Sequence, residues 1–185
     1  LKWVGGKSKS AADILSKFPK EFGGYYEPFL GSGVIALNVP DIEKKHIVLG
    51  DMSSPLVNFW RIVRECPNWL CDELQLLQHG SAEYYAIRSK LNECIFSDSG
   101  RVSQAARFLY INKQGFNGLW RVNKAGLCNV PFGRQNPTAH HVFDAIKFAA
   151  EKFKYAEIVA ESWKWDLWDR RPVSGDLCYL DPPYL

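Results

Sequence analysis

Residues 25–37 have the sequence YYEPFLGSGVIAL, which predicts a β-strand, a glycine turn and the start of a helix. The aromatic and apolar residues at 25–29 favour the strand, Gly31 and Gly33 favour a tight turn, and the apolar run at 34–37 favours the helix. This order is typical of the first βα unit of a nucleotide-binding α/β fold. An ordinary tight turn has the same local pattern, so the neighbouring segments must decide between the two.

A second predicted strand, at residues 47–50, ends in Asp51. Asp51 follows Gly31 by about 20 residues, the distance at which an acidic residue in such folds bonds ribose hydroxyls. Ala36 stands where a full dinucleotide motif carries its third glycine. The turn is therefore poorly suited to pyrophosphate and favours a nucleoside without phosphates.

The last residues contain a further apolar run, 177–180, followed by Asp181-Pro182-Pro183-Tyr184. The run predicts a buried strand, and the prolines prevent its continuing in a sheet. Open α/β sheets bind ligands outside the carboxyl ends of their strands. A flat base with an amino group suits this position, with Asp181 and the Pro182 carbonyl each accepting one N–H and Tyr184 stacking on the ring. A turn that merely ends a strand is the alternative.

Composition limits the class of protein. The chain has 185 residues, of which 46% are hydrophobic and 23% charged, as in globular proteins. No apolar run approaches the roughly 20 residues that span a bilayer, so we expect a soluble, cytoplasmic protein without a membrane partner. The five cysteines are scattered, without a Cys-x-x-Cys pair, and predict neither disulfides nor a metal site.

The charge of the chain is unevenly distributed. Net charge is +3, but residues 101–143 hold six basic residues and no acidic one. A basic segment in an otherwise acidic chain is typical of a polyanion-binding surface. Chance depletion of acidic residues is the alternative.

From residue 54 the pattern becomes helical and the alternation of strand and helix stops. We therefore predict a core formed by residues 1–53 and 142–185, with an inserted, mainly helical domain at 54–141. Within the insertion, residues 120–122 and 127–130 flank a loop of about four residues and predict a β-hairpin. A basic hairpin could contact phosphates and wedge a base step, although a simple solvated hairpin has the same pattern.

Taken together and in order, the motifs resemble the Dam-like family of DNA adenine N6 methyltransferases, the D12 class with the alpha motif order. The motifs are the N-terminal KWVGGK (2–7), EPFLGSG (27–33), Asp51, the segments Gly118-Leu119-x-Arg121 and NVPFGR (129–134), and Asp181-Pro182-Pro183-Tyr184. They span nearly the whole chain, and their fixed order is more specific than any one of them.

The resemblance implies a Rossmann-like core that uses S-adenosyl-L-methionine, with an inserted target-recognition domain carrying the hairpin. It implies cofactor contacts from Trp3, Lys7, Phe29, Gly31, Gly33, Asp51 and Asp181. It implies that Asp181, Pro182 and Tyr184 are catalytic. No metal is required for this chemistry.

The resemblance also implies double-stranded DNA as the partner, with GATC as its site. Arg121 has a guanidinium fork that matches guanine, and Leu119 could contact a thymine methyl group. Lys2 is a second candidate for guanine, Phe116 could wedge beside the vacated adenine, and Asn117 could bond nearby. The expected DNA contacts are completed by Pro131 in the recognition segment and by the phosphate ligands Lys124 and Arg134.

Several alternatives stay open at this point. Methylation of RNA adenine at N6, methylation of cytosine at N4, and a non-catalytic DNA-binding relative would each have similar motifs. We expect a monomer. We also expect the sheet to continue with further strands beyond Leu185, because the family's sheet extends past its catalytic motif.

Overall fold

The computed structural model describes residues 1–95, 99–133, 139–160 and 171–182, with backbone alone at 139–141. Its described helices are α1 (Ala11–Ser16), α2 (Val34–Asn38), α3 (Ser54–Glu65), α4 (Pro67–Gln75), α5 (Ser81–Cys94), α6 (Arg101–Gln114) and α7 (Ala139–Lys152), with 3-10 turns at Ile42–Lys44 and Phe116–Gly118. The described strands are β1 (Tyr25–Glu27), β2 (Ile47–Asp51), β3 (Glu157–Ala160) and β4 (Leu177–Cys178).

The strands form one parallel sheet in the order β3-β2-β1-β4. Tyr25 in β1 lies opposite Ile47 in β2 and Leu177 in β4. Every residue of β1 is buried, as are the first four residues of β2. This burial is typical of parallel strands, which are covered on both faces. The predicted α/β class with a parallel sheet is confirmed.

The order of the strands creates a crevice. The chain passes from β1 to β2 and on to β3 on one side, and then returns to β4 on the other side of β1. The direction of strand addition therefore reverses beside β1. In open α/β sheets, ligands bind outside the carboxyl ends of the strands at such a reversal.

Within the described residues, the helices from residue 54 onward share one core with the sheet. Helix α3 packs against β2 and β3 and also against α6 and α7. A single cluster of buried side chains includes Tyr25 and Leu49 of the sheet together with Phe108 and Ile111 of α6. The boundary predicted between a catalytic core and an inserted recognition domain stays a prediction.

The last strand differs from the sequence prediction of a buried strand over 177–180. Strand β4 covers only Leu177 and Cys178, both partly exposed, and Leu180 is 52% exposed. Among the described residues, β4 pairs with β1 alone. A strand with one neighbour is covered less completely than the central strands, and the run of apolar residues does not distinguish the two positions.

The glycine turn after β1 is packed against an indole ring. Gly33 has φ +70°, and a Cβ placed there would lie 2.9 Å from Cζ2 of Trp60. The Trp60 Nε1–H also donates to the Gly31 carbonyl at 3.1 Å. Trp60 on α3 therefore fixes the position of the turn relative to the core.

Strand β1 ends in a buried acid, Glu27, which is 2% exposed. Its Oε2 accepts hydrogen bonds from the Tyr25 hydroxyl at 2.7 Å and from the Ala36 N–H at 3.2 Å. Burial raises the pKa of Glu27 to about 8, although these two hydrogen bonds act in the opposite direction. Glu27 thus joins β1 to the first turns of α2 and holds a proton more tightly than an ordinary carboxyl group.

We predict that Gly33→Ala destabilises the fold more than a matched control. The left-handed conformation costs a non-glycine residue about 1–2 kcal/mol, and the contact with Trp60 adds a steric cost. Gly100→Ala is the control, because Gly100 has φ +66° and a Cβ there would meet no atom within 4 Å. Urea unfolding should show the larger loss for Gly33→Ala. Equal losses would contradict the packing of Trp60 against the turn.

We also predict a pH-dependent difference between the wild type and Glu27→Gln. The folded state raises the pKa of Glu27 from 4.5 to about 8. The protonated carboxyl group therefore stabilises the fold fully below pH 4.5, and this stabilisation is lost as the pH rises to about 8. Glutamine keeps an acceptor for Tyr25 and Ala36 but does not titrate. The unfolding free energy of the variant, relative to the wild type, should increase from pH 4.5 to 8. A pH-independent difference would show that Glu27 is not protonated in the fold.

Candidate functional site

A cavity of about 500 Å³ lies at the carboxyl ends of β1, β2 and β4. Its volume falls within the range of small-molecule sites. The lining comes from five parts of the chain: the N-terminal segment Trp3, Val4, Gly5, Gly6 and Lys7; Glu27 and Phe29; the turn and start of α2, Leu30, Gly31, Ser32, Val34 and Ile35; Asp51 and Met52; and Tyr179, Asp181 and Pro182.

The N-terminal segment covers the glycine turn. A Cβ on Gly31, whose φ is +49°, would lie 2.8 Å from Cδ1 of Trp3. Only a glycine lets the turn and the indole ring approach so closely. The turn is therefore held between Trp3 on the cavity side and Trp60 on the core side.

Asp51 is fixed at the end of β2 by backbone donors. Its Oδ2 accepts from the Gly31 N–H at 3.0 Å and its Oδ1 accepts from the Ser53 N–H at 2.9 Å. Burial raises the pKa of Asp51, and the hydrogen bonds from Ser53 and Gly31 oppose this shift. Each carboxylate oxygen has a second lone pair, so Asp51 can still accept a hydrogen bond from a molecule in the cavity.

Two distant parts of the chain meet in an ion pair. Lys7 Nζ lies 2.6 Å from Asp181 Oδ2, with the two side chains 22% and 21% exposed. Lys7 also donates to the Gly5 carbonyl at 3.0 Å. A charge-assisted contact of this kind is stronger than a hydrogen bond between neutral groups. It holds the N-terminal segment against the residues that follow β4.

The structure brings most of the predicted cofactor residues together. Trp3, Lys7, Phe29, Gly31, Asp51 and Asp181 all line the cavity. Gly33 is outside the lining and packs against Trp60, and its predicted cofactor contact stays a prediction. Pro182 lies on the cavity wall, whereas Tyr184 lies outside the described residues.

Sequence reasoning missed Glu27 as a lining residue, although it begins the EPFLGSG motif. The signal in the sequence that could have identified Glu27 is an acidic residue within an otherwise aromatic strand. Its burial depends on Tyr25 and Ala36, which satisfy it locally.

The predicted DNA-contacting residues are mostly at the surface. Those that the structure describes are exposed: Lys2, Phe116, Asn117, Leu119, Arg121, Lys124 and Pro131. Phe116 is 52% and Leu119 40% exposed. Arg134 lies outside the described residues.

The segment that carries Arg121 is braced by hydrogen bonds. Arg121 Nε donates to Asn129 Oδ1 at 2.8 Å, which orients the guanidinium. The side chain of Asn92 on α5 bonds both backbone groups of Cys128, at 3.0 and 2.8 Å. A single antiparallel bridge joins Val122 and Cys128. One bridge is less than a two-stranded ladder, so the recognition hairpin stays a prediction.

In the part of the chain that the structure describes, no helix combines the length and the apolar character that crossing a membrane requires. The same residues contain no group of three or more histidine, cysteine, aspartate or glutamate side chains that could hold a metal ion.

Similar proteins are known. Residues 3–185 match the family model of the D12 class N6 adenine-specific DNA methyltransferases. A protein named DNA adenine methylase from Vibrio cholerae is 35% identical over 188 residues, covering 100% of this chain and 64% of the relative. Type II methyltransferase M1.LlaDCHI from Lactococcus lactis is 30% identical over 186 residues, again covering 100% of this chain and 64% of the relative.

The archaeal type II methyltransferase M.MjaIII, from Methanocaldococcus jannaschii, is 30% identical over 202 residues, covering 100% of this chain and 68% of the relative. The chain thus spans about two thirds of the length of the curated relatives that it matches. The match of the family model begins at residue 3 and ends at residue 185. By this match, the chain belongs to the family of D12 class N6 adenine-specific DNA methyltransferases.

Proposed function

We propose that the whole protein is a site-specific DNA adenine N6 methyltransferase that uses S-adenosyl-L-methionine and acts on GATC in duplex DNA, as a monomer inside the cell. The observation that carries this proposal is the position of Asp181. It lies on the wall of the cavity that the glycine turn and Asp51 also line. A catalytic carboxylate and a nucleoside site therefore share one space.

The charges of the cavity suit S-adenosyl-L-methionine, which supplies an electrophilic methyl group on a sulfonium cation. The charged lining residues are Glu27, Asp51 and Asp181 against Lys7, and Lys7 is paired with Asp181. Burial keeps a proton on Glu27 and Lys7 offsets Asp181, and the remaining acid, Asp51, suits a cationic nucleoside better than a polyphosphate. The close contact of Gly31 with Trp3 also places an indole ring beside the turn.

Five of the lining residues would then hold the cofactor. Asp51, held in place by Gly31 and Ser53, accepts hydrogen bonds from the ribose hydroxyls. Phe29 and Gly31 form the floor of the site. Trp3 and Lys7 lie beside the methionine part, as the resemblance to the family implies.

Asp181 and Pro182 act on the amino group of the target base. The lone pair of N6 is conjugated with the ring, which makes N6 a poor nucleophile. Lys7 bonds Oδ2 of Asp181, and the second carboxylate oxygen accepts one amino hydrogen while the Pro182 carbonyl accepts the other. These acceptors favour a pyramidal N6 and stabilise the positive charge that develops on it.

The adenine must leave the duplex, because its amino group is otherwise paired. We assign Phe116 to the space beside the vacated base, with Asn117 bonding nearby. Tyr184 stacks on the flipped ring, as the family motif implies. The exposure of Phe116 supports this assignment, since 52% of its surface is available to a partner.

Arg121 and Lys2 read guanine, and Leu119 contacts a thymine methyl group. Asn129 supports this assignment because it holds the guanidinium of Arg121 in one orientation before DNA arrives. Pro131 completes the contact surface, and the phosphate contacts come from Lys124 and Arg134.

Asp181→Ala tests the catalytic role. We predict that single-turnover methyl transfer to a GATC duplex falls by at least about 100-fold. Affinity for the duplex should change little, because the bonds of Asp181 to N6 strengthen as charge develops. Asp41→Asn, at a surface acid paired with Lys44, is the control and should retain the wild-type rate. A near-normal rate in Asp181→Ala would refute the role.

Arg121→Ala and Lys124→Ala test the two kinds of DNA contact. The first should relax discrimination at one guanine by about 1–3 kcal/mol. The second should weaken all duplexes alike and reduce the salt slope of binding by about one unit. Fluorescence anisotropy with GATC and scrambled duplexes measures both. If Arg121→Ala weakens both duplexes equally, Arg121 is a phosphate contact.

A further inference from the structure

Asn112, in the last turn of α6, is a buried amide that joins two distant segments of the chain. It is 1% exposed. Its Oδ1 accepts from the Lys2 N–H at 3.2 Å, and its Nδ2 donates to the Lys2 carbonyl at 2.7 Å. The same Nδ2 donates to the Gly118 carbonyl at 3.2 Å. One side chain therefore binds the backbone of the N-terminal segment and that of the turn Phe116–Gly118.

The two segments also touch directly. Gly118 has φ +65°, and a Cβ there would lie 3.0 Å from the Cβ of Lys2 and would collide with the rest of its aliphatic stem. The stem of Lys2 thus lies on the backbone of Gly118. A side chain at position 118 would displace Lys2, whatever its polarity.

A second, apolar connection lies one helical turn earlier on α6. The ring of Phe108 is 6.2 Å from that of Trp3 and 4.6 Å from that of Trp120, between centroids. Residues four apart on a helix lie on one face. Phe108 and Asn112 therefore form a face of α6 that contacts the N-terminal segment on one side and the segment after the turn on the other.

Both joined segments hold proposed functional residues. Lys2 is a proposed guanine contact, and Trp3 lines the cofactor cavity. The turn at Gly118 directly precedes Leu119 and, two residues later, Arg121. The position of Lys2 and Trp3 relative to Leu119 and Arg121 depends on the bonds that Asn112 makes to the two backbones.

We propose that Asn112 is a positioning residue that holds Lys2 and the turn at Gly118 in one fixed arrangement, so that discrimination between DNA sequences depends on a side chain too buried to touch DNA. The effect on discrimination rests on the proposed function. The connection that Asn112 makes between the two segments does not rest on the proposed function, and this connection can be measured separately.

The first measurement is hydrogen exchange followed by mass spectrometry on the whole protein without DNA. Asn112→Ala should raise exchange in residues 1–6 and 115–120 together, because it removes the bonds to both. Asn58→Ala is the control. Asn58 also joins two elements, through bonds with Arg101 at 3.0 and 3.1 Å, but it contacts neither segment. Unchanged exchange in both segments of Asn112→Ala would overturn the proposal.

The second measurement is the ratio of single-turnover methylation rates on a GATC duplex and on duplexes with one guanine replaced. For the duplex that lacks the guanine contacted by Lys2, Asn112→Ala should lower this ratio at least tenfold. Asn58→Ala should leave the ratio unchanged. An unchanged ratio with a uniform loss of rate would show a purely structural role and overturn the proposal.

Gly118→Ala perturbs the same contact between Lys2 and the turn without changing Asn112. It replaces Asn112→Ala in the test if that variant fails to fold. It should lower the same ratio, whereas Gly100→Ala, with a similar φ of +66° and no atom near its added Cβ, should not. Equal ratios in these two variants would count against the proposal. If the wild type methylates none of the duplexes, the proposed function fails. The exchange experiment still tests whether Asn112 connects the N-terminal segment with the turn at Gly118.

Discussion

Parallel pairing of β1 with both β2 and β4 is the constraint on which the site depends. Because the three strands point the same way, their carboxyl ends meet at one edge of the sheet. Glu27, Asp51 and Asp181 come at or just after these ends and line one cavity. Three acids close together would repel one another if all were ionised. Lys7 offsets one of them directly, and burial keeps a proton on Glu27 by raising its pKa to about 8.

The N-terminal segment connects the cavity with the surface proposed to bind DNA. Trp3 lies over the glycine turn and Lys7 pairs with Asp181, so this segment forms part of the cavity wall. The neighbour of Trp3, Lys2, is exposed and lies on Gly118. Cofactor and DNA would therefore contact adjacent residues of one short segment. Its position is set by tertiary contacts, because residues 1–10 include no helix or strand.

Local signals were sufficient for part of this structure. The glycine turn, the strand that ends in Asp51 and the α/β class follow from periodicity and from where glycine and proline stand. The ion pair between Lys7 and Asp181 could not be predicted, because it joins opposite ends of the chain. Asn112 was missed because a buried asparagine in a helix has no pattern that separates it from an exposed one. The partial exposure of β4 depends on its neighbours in the sheet, which its own residues do not specify.

We propose that this cavity serves methyl transfer to adenine N6 in duplex DNA. Transfer of tritiated methyl from S-adenosyl-L-methionine by the whole protein tests it most directly, with digestion of the product to nucleosides. We expect N6-methyladenine from a GATC duplex, and no label in the same duplex already methylated at that adenine, in RNA of the same sequence, or in a duplex whose target adenine is replaced. Label recovered in N4-methylcytosine or in RNA, or no transfer to any duplex, would contradict it.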